Sequence, residues 1–143
     1  MNDANKGCRI KICGLSRIGD VEAVNRVRPD YIGFVFAQSR RQVGATWAAS
    51  LKRALDPRIQ AVGVFVNAPV SEIVRLTDVG TIQIIQLHGD EDEDYIRELK
   101  RQTAAPVIKA VRVRNGDGIL RAEQLSCEYL LLDTYTKGQY GGS

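Results

Sequence analysis

A thiol, an imidazole, a carboxylate and two adjacent guanidiniums stand where short apolar runs of this chain end. Cys13 follows RIKI, His88 follows QIIQL, Asp133 follows YLLL, and Arg40 and Arg41 lie in the turn after YIGFVF. A thiolate can abstract a proton when neighbouring cations or helix dipoles lower its pKa. A carboxyl can donate one near neutrality when burial raises its pKa. A planar guanidinium matches a planar carboxylate, so Arg40 or Arg41 could hold an acidic ligand. Gln86 and Lys11 lie two residues before His88 and Cys13, on the same strand faces.

Each residue also has a plainer reading. A lone cysteine is commonly a small hydrophobe. Asp133 could be a helix cap or loop carboxylate. His88 could be a hydrogen-bonded structural histidine, and Arg40-Arg41 a solvated pair. Lys109 and Arg112 read as members of structural ion pairs and stay outside the site. The acidic stretch 90–94 reads as a solvated, favourable helix start. Cys8 and Cys127 read as structural or incidental.

The elements that would carry these groups alternate. Apolar runs at residues 9–13, 31–36, 61–66, 83–88, 107–113 and 129–133 are short and bounded by Gly, Pro, Asn or Asp, as buried parallel strands are. Helical patterns fill 17–27, 45–55, 71–77, 92–102 and 116–124, with Ser71 a candidate N-cap. Strand starts recur about every 24 residues. Strand–helix alternation implies parallel strands joined by right-handed crossovers. A doubly wound open sheet and a (β/α)8 barrel both fit, and both collect chemistry at the C-terminal strand ends.

Side-chain alternation separates the two. Lys11 and Cys13 share one face of the first strand, Gln86 and His88 one face of the fourth, and Leu131 and Asp133 one face of the sixth. The opposite faces are apolar. That pattern suits a barrel with a polar mouth and an apolar, helix-covered exterior.

Composition narrows the function classes. The 143 residues are 44% hydrophobic and 26% charged, which suits a single folded domain over 1–143 and excludes wholesale disorder. A net charge of +3 without a dense basic block calls for neither nucleic acid nor anionic lipid. No apolar stretch of about 18 residues is present, so no membrane span is expected, and residues 1–7 lack a signal-peptide core. The three cysteines form no CxxC, which argues against zinc and against a disulfide framework and fits a reducing cytoplasm. Neither GxGxxG nor GxxxxGK[ST] follows the first strand, so nucleotide binding lacks its usual signature.

Six motifs then occur in order: KICGL at 11–15, YIGFVFAQSRRQV at 31–43, VGVFVN at 62–67, QLHGDE at 86–91, VIKAVRV at 107–113, and LLLDTY at 130–135 followed by YGG at 140–142. Over residues 9–143 the chain closely resembles the phosphoribosylanthranilate isomerases of tryptophan biosynthesis. The resemblance implies a TIM barrel and an Amadori rearrangement, without metal or cofactor. The substrate is a phosphorylated aminosugar, N-(5'-phosphoribosyl)anthranilate, and the product is 1-(o-carboxyphenylamino)-1-deoxyribulose 5-phosphate. It implies Cys13 as general base, Asp133 as general acid, Arg41 on the anthranilate carboxylate, and Gln86 and His88 lining the substrate mouth. A related histidine-pathway isomerase uses two aspartates, one on the first strand, and Cys13 speaks against it.

The resemblance also sets a length. A complete barrel of this family has eight units and about 200 residues. At the observed spacing 143 residues hold six units. An incomplete barrel is therefore expected, without the last two units whose loops bind phosphate in such barrels. On that basis these residues alone are expected to show little or no isomerase activity. Open edges at the first and sixth strands would invite self-association, and a non-catalytic assembly piece is the alternative.

Overall fold

The computed structural model describes residues 7–134. Tyr135 and the YGG motif at 140–142 lie outside the described residues. Six strands run in chain order: β1 (Lys11–Cys13), β2 (Tyr31–Val35), β3 (Gln60–Phe65), β4 (Ile84–Leu87), β5 (Val107–Val113) and β6 (Tyr129–Thr134). Between them lie α1 (Ile18–Val27), α2 (Ala45–Ala54), α3 (Val70–Asp78), α4 (Glu93–Gln102) and α5 (Gly116–Ala122).

All neighbouring strands are parallel, and their spatial order is their sequence order. A doubly wound sheet reverses direction partway and places helices on both faces. Here the order never reverses, so successive right-handed crossovers put the helices on one face. The described residues therefore form a six-stranded part of a (β/α) barrel, and the doubly wound alternative falls.

Burial follows this division. Ile32, Phe34, Ala61, Phe65, Ile85, Leu87 and Val107 from the strands' outer face are buried in one cluster with Val21, Val24, Ala48, Leu51, Ile73, Leu76, Ile96 and Leu99 from α1 to α4. Each fully buried Leu, Ile or Phe contributes roughly 1.5–3 kcal/mol of transfer free energy. The other face carries Lys11, Cys13, Gln86 and Asp133. Laterally paired residues of a parallel sheet point the same way, and the register pairs Cys13 with Gly33 and Gln86 with Val64.

Most element bounds fall within two residues of the pattern-based ones. The start of α3 differs. Pro69, not Ser71, is its N-cap, and the Pro69 carbonyl accepts from the amides of Glu72 and Ile73. Proline's fixed φ, here −61°, already suits the helix entry. Ser71 is thereby left inside the first turn, with no capping role. Asp92 does cap α4, accepting from the Tyr95 amide at 2.9 Å.

Candidate active site

Cys13 is the last residue of β1, and its thiol is exposed. Room for it comes from β2. A Cβ built on Gly33 would lie 2.7 Å from Cys13 Sγ, closer than real atoms approach. A glycine inside a strand often marks such a close approach. Gly33→Ala therefore forces the thiol out of its position while leaving the backbone free of strain. A displacement of about 1 Å can cost about 10²-fold in rate. In the protein expressed from its own full reading frame, the expected result is a rate loss of that size in any turnover this site supports, with a far-UV circular dichroism spectrum unchanged. An unaltered kcat would mean that the thiol's placement is unimportant.

The next residue, Gly14, has φ +90°, and a Cβ there would meet Arg41 Cδ at 2.6 Å. Glycine adopts this left-handed conformation without penalty. The Arg41 side chain thus lies across Gly14, with Nη1 3.4 Å from the Cys13 carbonyl, while the Arg41 amide donates to Ser39 Oγ at 3.0 Å. Of the two adjacent arginines, only Arg41 lines the cavity shared with Lys11, Gln86, His88 and Asp133; Arg40 lines the adjoining groove beside α1, which Cys13, Gly14 and Arg41 also border.

Across the cavity, β4 and β6 supply a chain of polar groups. Lys11 Nζ donates to Gln86 Oε1. Gln86 Nε2 lies 2.9 Å from His88 Nδ1, and His88 Nε2 lies 3.0 Å from Asp133 Oδ2. The other carboxylate oxygen, Oδ1, accepts from the Thr134 amide at 2.9 Å. Asp133 and His88 are largely buried, with side chains 15% and 11% exposed. Burial pushes the Lys11 ammonium below the usual lysine pKa, and the charge of Cys13 opposes that shift.

The loop after β4 is held from beneath. Glu91, whose side chain is fully buried, pairs with Lys109 Nζ at 2.9 Å. It also accepts from the amides of Asn67 at 2.7 Å and Gly89 at 2.9 Å. Lys109 donates in addition to the Gly89 carbonyl, and Asn67 Oδ1 accepts from Asp90. Asn67 takes a left-handed φ of 50°, and a Cβ on Gly89 would sit 2.8 Å from Asn67 Oδ1. So Glu91 is not part of a solvated helix start, as its acidic neighbourhood suggests. It is the buried counter-ion of Lys109 and fixes the turn that follows His88. The ion-pair readings of Lys109 and Arg112 hold, the latter pairing with Asp90.

Breaking one half of a buried pair strands the other charge, at a cost of about 3–5 kcal/mol. Lys109→Met is expected to lower stability by that amount in urea unfolding. A loss below about 1 kcal/mol would place the pair with weak surface bridges.

Cys13, Arg41, Gln86, His88 and Asp133, each singled out by the sequence, line one open cavity of about 670 Å³ together with Lys11. That volume lies within the range of small-molecule sites. The arrangement puts a free thiol on one side, a carboxyl on the other and a guanidinium at the rim. Such a set can move two protons on one bound ligand. Sequence reasoning missed Gly33, Asn67 and Glu91 as groups that shape or hold the site. It also missed that Lys11 bonds Gln86, 75 positions away. Gly33 alone carried a readable signal, a glycine in mid-strand.

Known proteins match this chain closely. The family model for N-(5'-phosphoribosyl)anthranilate (PRA) isomerase matches residues 10–143. An N-(5'-phosphoribosyl)anthranilate isomerase from Lachnoclostridium phytofermentans is 48% identical over 134 residues, which are 94% of this chain and 62% of that protein. The crystal structure of the phosphoribosyl anthranilate isomerase from Thermus thermophilus superposes with a TM-score of 0.80 at 32% identity, over 92% of this chain and 65% of the other. A phosphoribosyl anthranilate isomerase in complex with reduced 1-(o-carboxyphenylamino)-1-deoxyribulose 5-phosphate superposes with a TM-score of 0.75 at 34% identity, over 89% and 65%. The chain thus spans slightly less than two thirds of these relatives' length.

Proposed function

This chain belongs to the N-(5'-phosphoribosyl)anthranilate isomerase family, and from that membership we propose that it carries the acid–base pair of an Amadori rearrangement. The observation that carries the reading is the convergence of Cys13, Arg41 and Asp133 on one cavity. The substrate is N-(5'-phosphoribosyl)anthranilate, the product 1-(o-carboxyphenylamino)-1-deoxyribulose 5-phosphate, and the reaction an internal aldose-to-ketose shift.

Asp133 gives a proton to the furanose ring oxygen. The C1–O bond breaks as the anthranilate nitrogen lends its electron pair, and an iminium forms at C1. The Cys13 thiolate then removes the proton at C2, and those electrons neutralise the iminium to an enolamine. Ketonisation takes a proton from solvent onto C1 while the enol hydroxyl at C2 gives its own proton to solvent, which leaves a carbonyl at C2. Arg41 holds the anthranilate carboxylate, which orients the ring for both transfers. Gln86 and His88 complete the mouth on the Asp133 side. Three unpaired cysteines suit a cytoplasmic setting. None of the helices among the described residues is long and apolar enough to cross a membrane.

The test is turnover of synthetic N-(5'-phosphoribosyl)anthranilate in D₂O by the protein expressed from its own reading frame. The proton lost from C2 and the one gained at C1 pass through exchangeable groups. The expected product is a ketose carrying deuterium at C1, with a C2 carbonyl visible by ¹³C NMR. Folded protein that leaves this substrate untouched, or that isomerises the histidine-pathway aminoaldose instead, would overturn the reading.

The sheet edges favour a second property. Ile12 on β1 and Tyr129 and Leu132 on β6 are exposed apolar residues on the two edge strands of the described residues. Unpaired edges of this kind template further strand pairing. We extend the proposal to self-association of the 143-residue polypeptide through them. Sedimentation velocity should give a concentration-dependent mass above 15.8 kDa; a strict monomer would remove this part.

A further inference from the structure

We infer that Lys11, Gln86 and His88 act as one positioning unit, holding His88 as a neutral donor that orients Asp133 and cannot accept its proton. The inference deepens the isomerase reading, because it assigns a task to side chains beside the proposed acid.

The argument rests on which atoms can donate. A lysine ammonium has three donors and no acceptor. Its contact with Gln86 therefore requires the amide oxygen to face Lys11. The amide nitrogen is then turned toward His88 Nδ1, 2.9 Å away. An amide NH₂ only donates, so Nδ1 must be the unprotonated ring nitrogen. A neutral imidazole carries one proton, and it is left on Nε2. Nε2–H points at Asp133 Oδ2 across 3.0 Å.

Flipping the amide would set its NH₂ against the ammonium. Protonating Nδ1 would set an N–H against the amide NH₂. Both alternatives oppose two donors in a partly buried site, where an unmade hydrogen bond is costly.

The consequence reaches the acid. His88 Nε2–H and the Thr134 amide each occupy one oxygen of Asp133. A carboxylate has about four lone-pair sites. A proton on Asp133 must take a site that neither donor fills. His88 cannot draw that proton away, since Nε2 already holds its own. The proton is thereby left for a ligand in the cavity. Charged or titratable groups also face this cavity from the other side, Cys13 on β1 and Arg41 after β2. Arg112 lies opposite Asp133 in register on β5 and pairs with Asp90.

His88 is the sole histidine of the 143 residues, so its ring nitrogens are read without assignment ambiguity. The primary test is two-dimensional ¹H–¹⁵N NMR of protein labelled at histidine, near neutral pH and without substrate. A single Nε2–H tautomer is expected. In Gln86→Glu a carboxylate replaces the amide nitrogen, and Nδ1 is expected to become protonated. A mixture of tautomers in the wild type, an Nδ1–H tautomer there, or an unchanged Nδ1 in Gln86→Glu would each overturn the inference.

Kinetics supply an independent arm. In the protein expressed from its own full reading frame, His88→Gln keeps a donor toward Asp133 that takes up no proton, so kcat should fall, but by less than about 10²-fold, the loss of an orienting contact and not of a proton-transfer group. A loss of about 10²–10⁴-fold, the usual worth of a proton-transfer group, would make His88 an acid or base itself. The NMR result needs no substrate, so a failed isomerase reading and a failed positioning unit give different outcomes.

Discussion

In the protein expressed from its own full reading frame, Asp133→Asn is expected to lower kcat about 10²–10⁴-fold, the range for removing a general acid, and to leave KM within a few-fold of wild type. The substitution preserves shape and removes the exchangeable acidic proton. Under the proposed mechanism, ring opening then has no protein proton to neutralise the departing oxygen. Both carboxylate oxygens of Asp133 accept, one from His88 and one from Thr134. Asparagine has one acceptor and one donor end, so one of the two bonds must be lost. That loss is worth about 1 kcal/mol of stability, which urea unfolding can separate from the kinetic effect. A variant that folds and keeps near-normal kcat would take the acid role from Asp133.

Cys13→Ala is expected to have a comparable effect on kcat, again about 10²–10⁴-fold, with almost none on stability. The reason is placement. The thiol is exposed, so its removal opens no cavity in the core. Cys13→Ser should be nearly as poor, because a hydroxyl gives up its proton far less readily than a thiol. Chemical modification offers a check without mutation of the site. Cys8 is also exposed and Cys127 is partly buried. In a Cys8→Ser background, iodoacetamide should inactivate in step with alkylation at Cys13, and a bound product analogue should slow both. Full activity after stoichiometric alkylation of Cys13 would rule out the thiolate base.

The double variant sharpens both roles. In the proposed mechanism acid and base act in successive steps on one substrate, so their losses need not multiply. Residues that work as a unit are commonly far from additive. A double variant little worse than either single one would indicate one shared limiting sequence of proton transfers.

Much of the cavity lining is legible in the sequence alone. Period-two alternation assigned Lys11, Cys13, Gln86, His88, Leu131 and Asp133 to one face, and all six line the cavity. The rule works because parallel strands with one helix-covered face sort side chains strictly in and out. Helix caps were less legible. Ser71 satisfies the local preference for an N-cap, yet Pro69 takes the position because its fixed φ starts the turn two residues earlier. The acidic stretch misled for a different reason. Asp92 and Glu91 look alike in sequence, yet one caps α4 at the surface and the other is buried against Lys109. Burial of a charge depends on a partner 18 residues away, and no local pattern encodes it.

The sequence by itself determined the type of fold, the strands that would carry the chemistry and the residues at their ends. Those follow from short-range regularities: a repeat near 24 residues, alternation within each strand and the ordered motifs of one family. Only the tertiary structure decided which residues touch. It set Gly33 beside the Cys13 thiol, chose Arg41 over Arg40 for the cavity, and joined Lys11 to Asp133 through Gln86 and His88. These contacts draw on four strands of the sheet, β1, β2, β4 and β6. Hydrogen-bond direction along them is fixed by a lysine that can only donate. The candidate groups are thus readable one strand at a time, whereas the protonation pattern proposed for them exists only once the strands stand side by side.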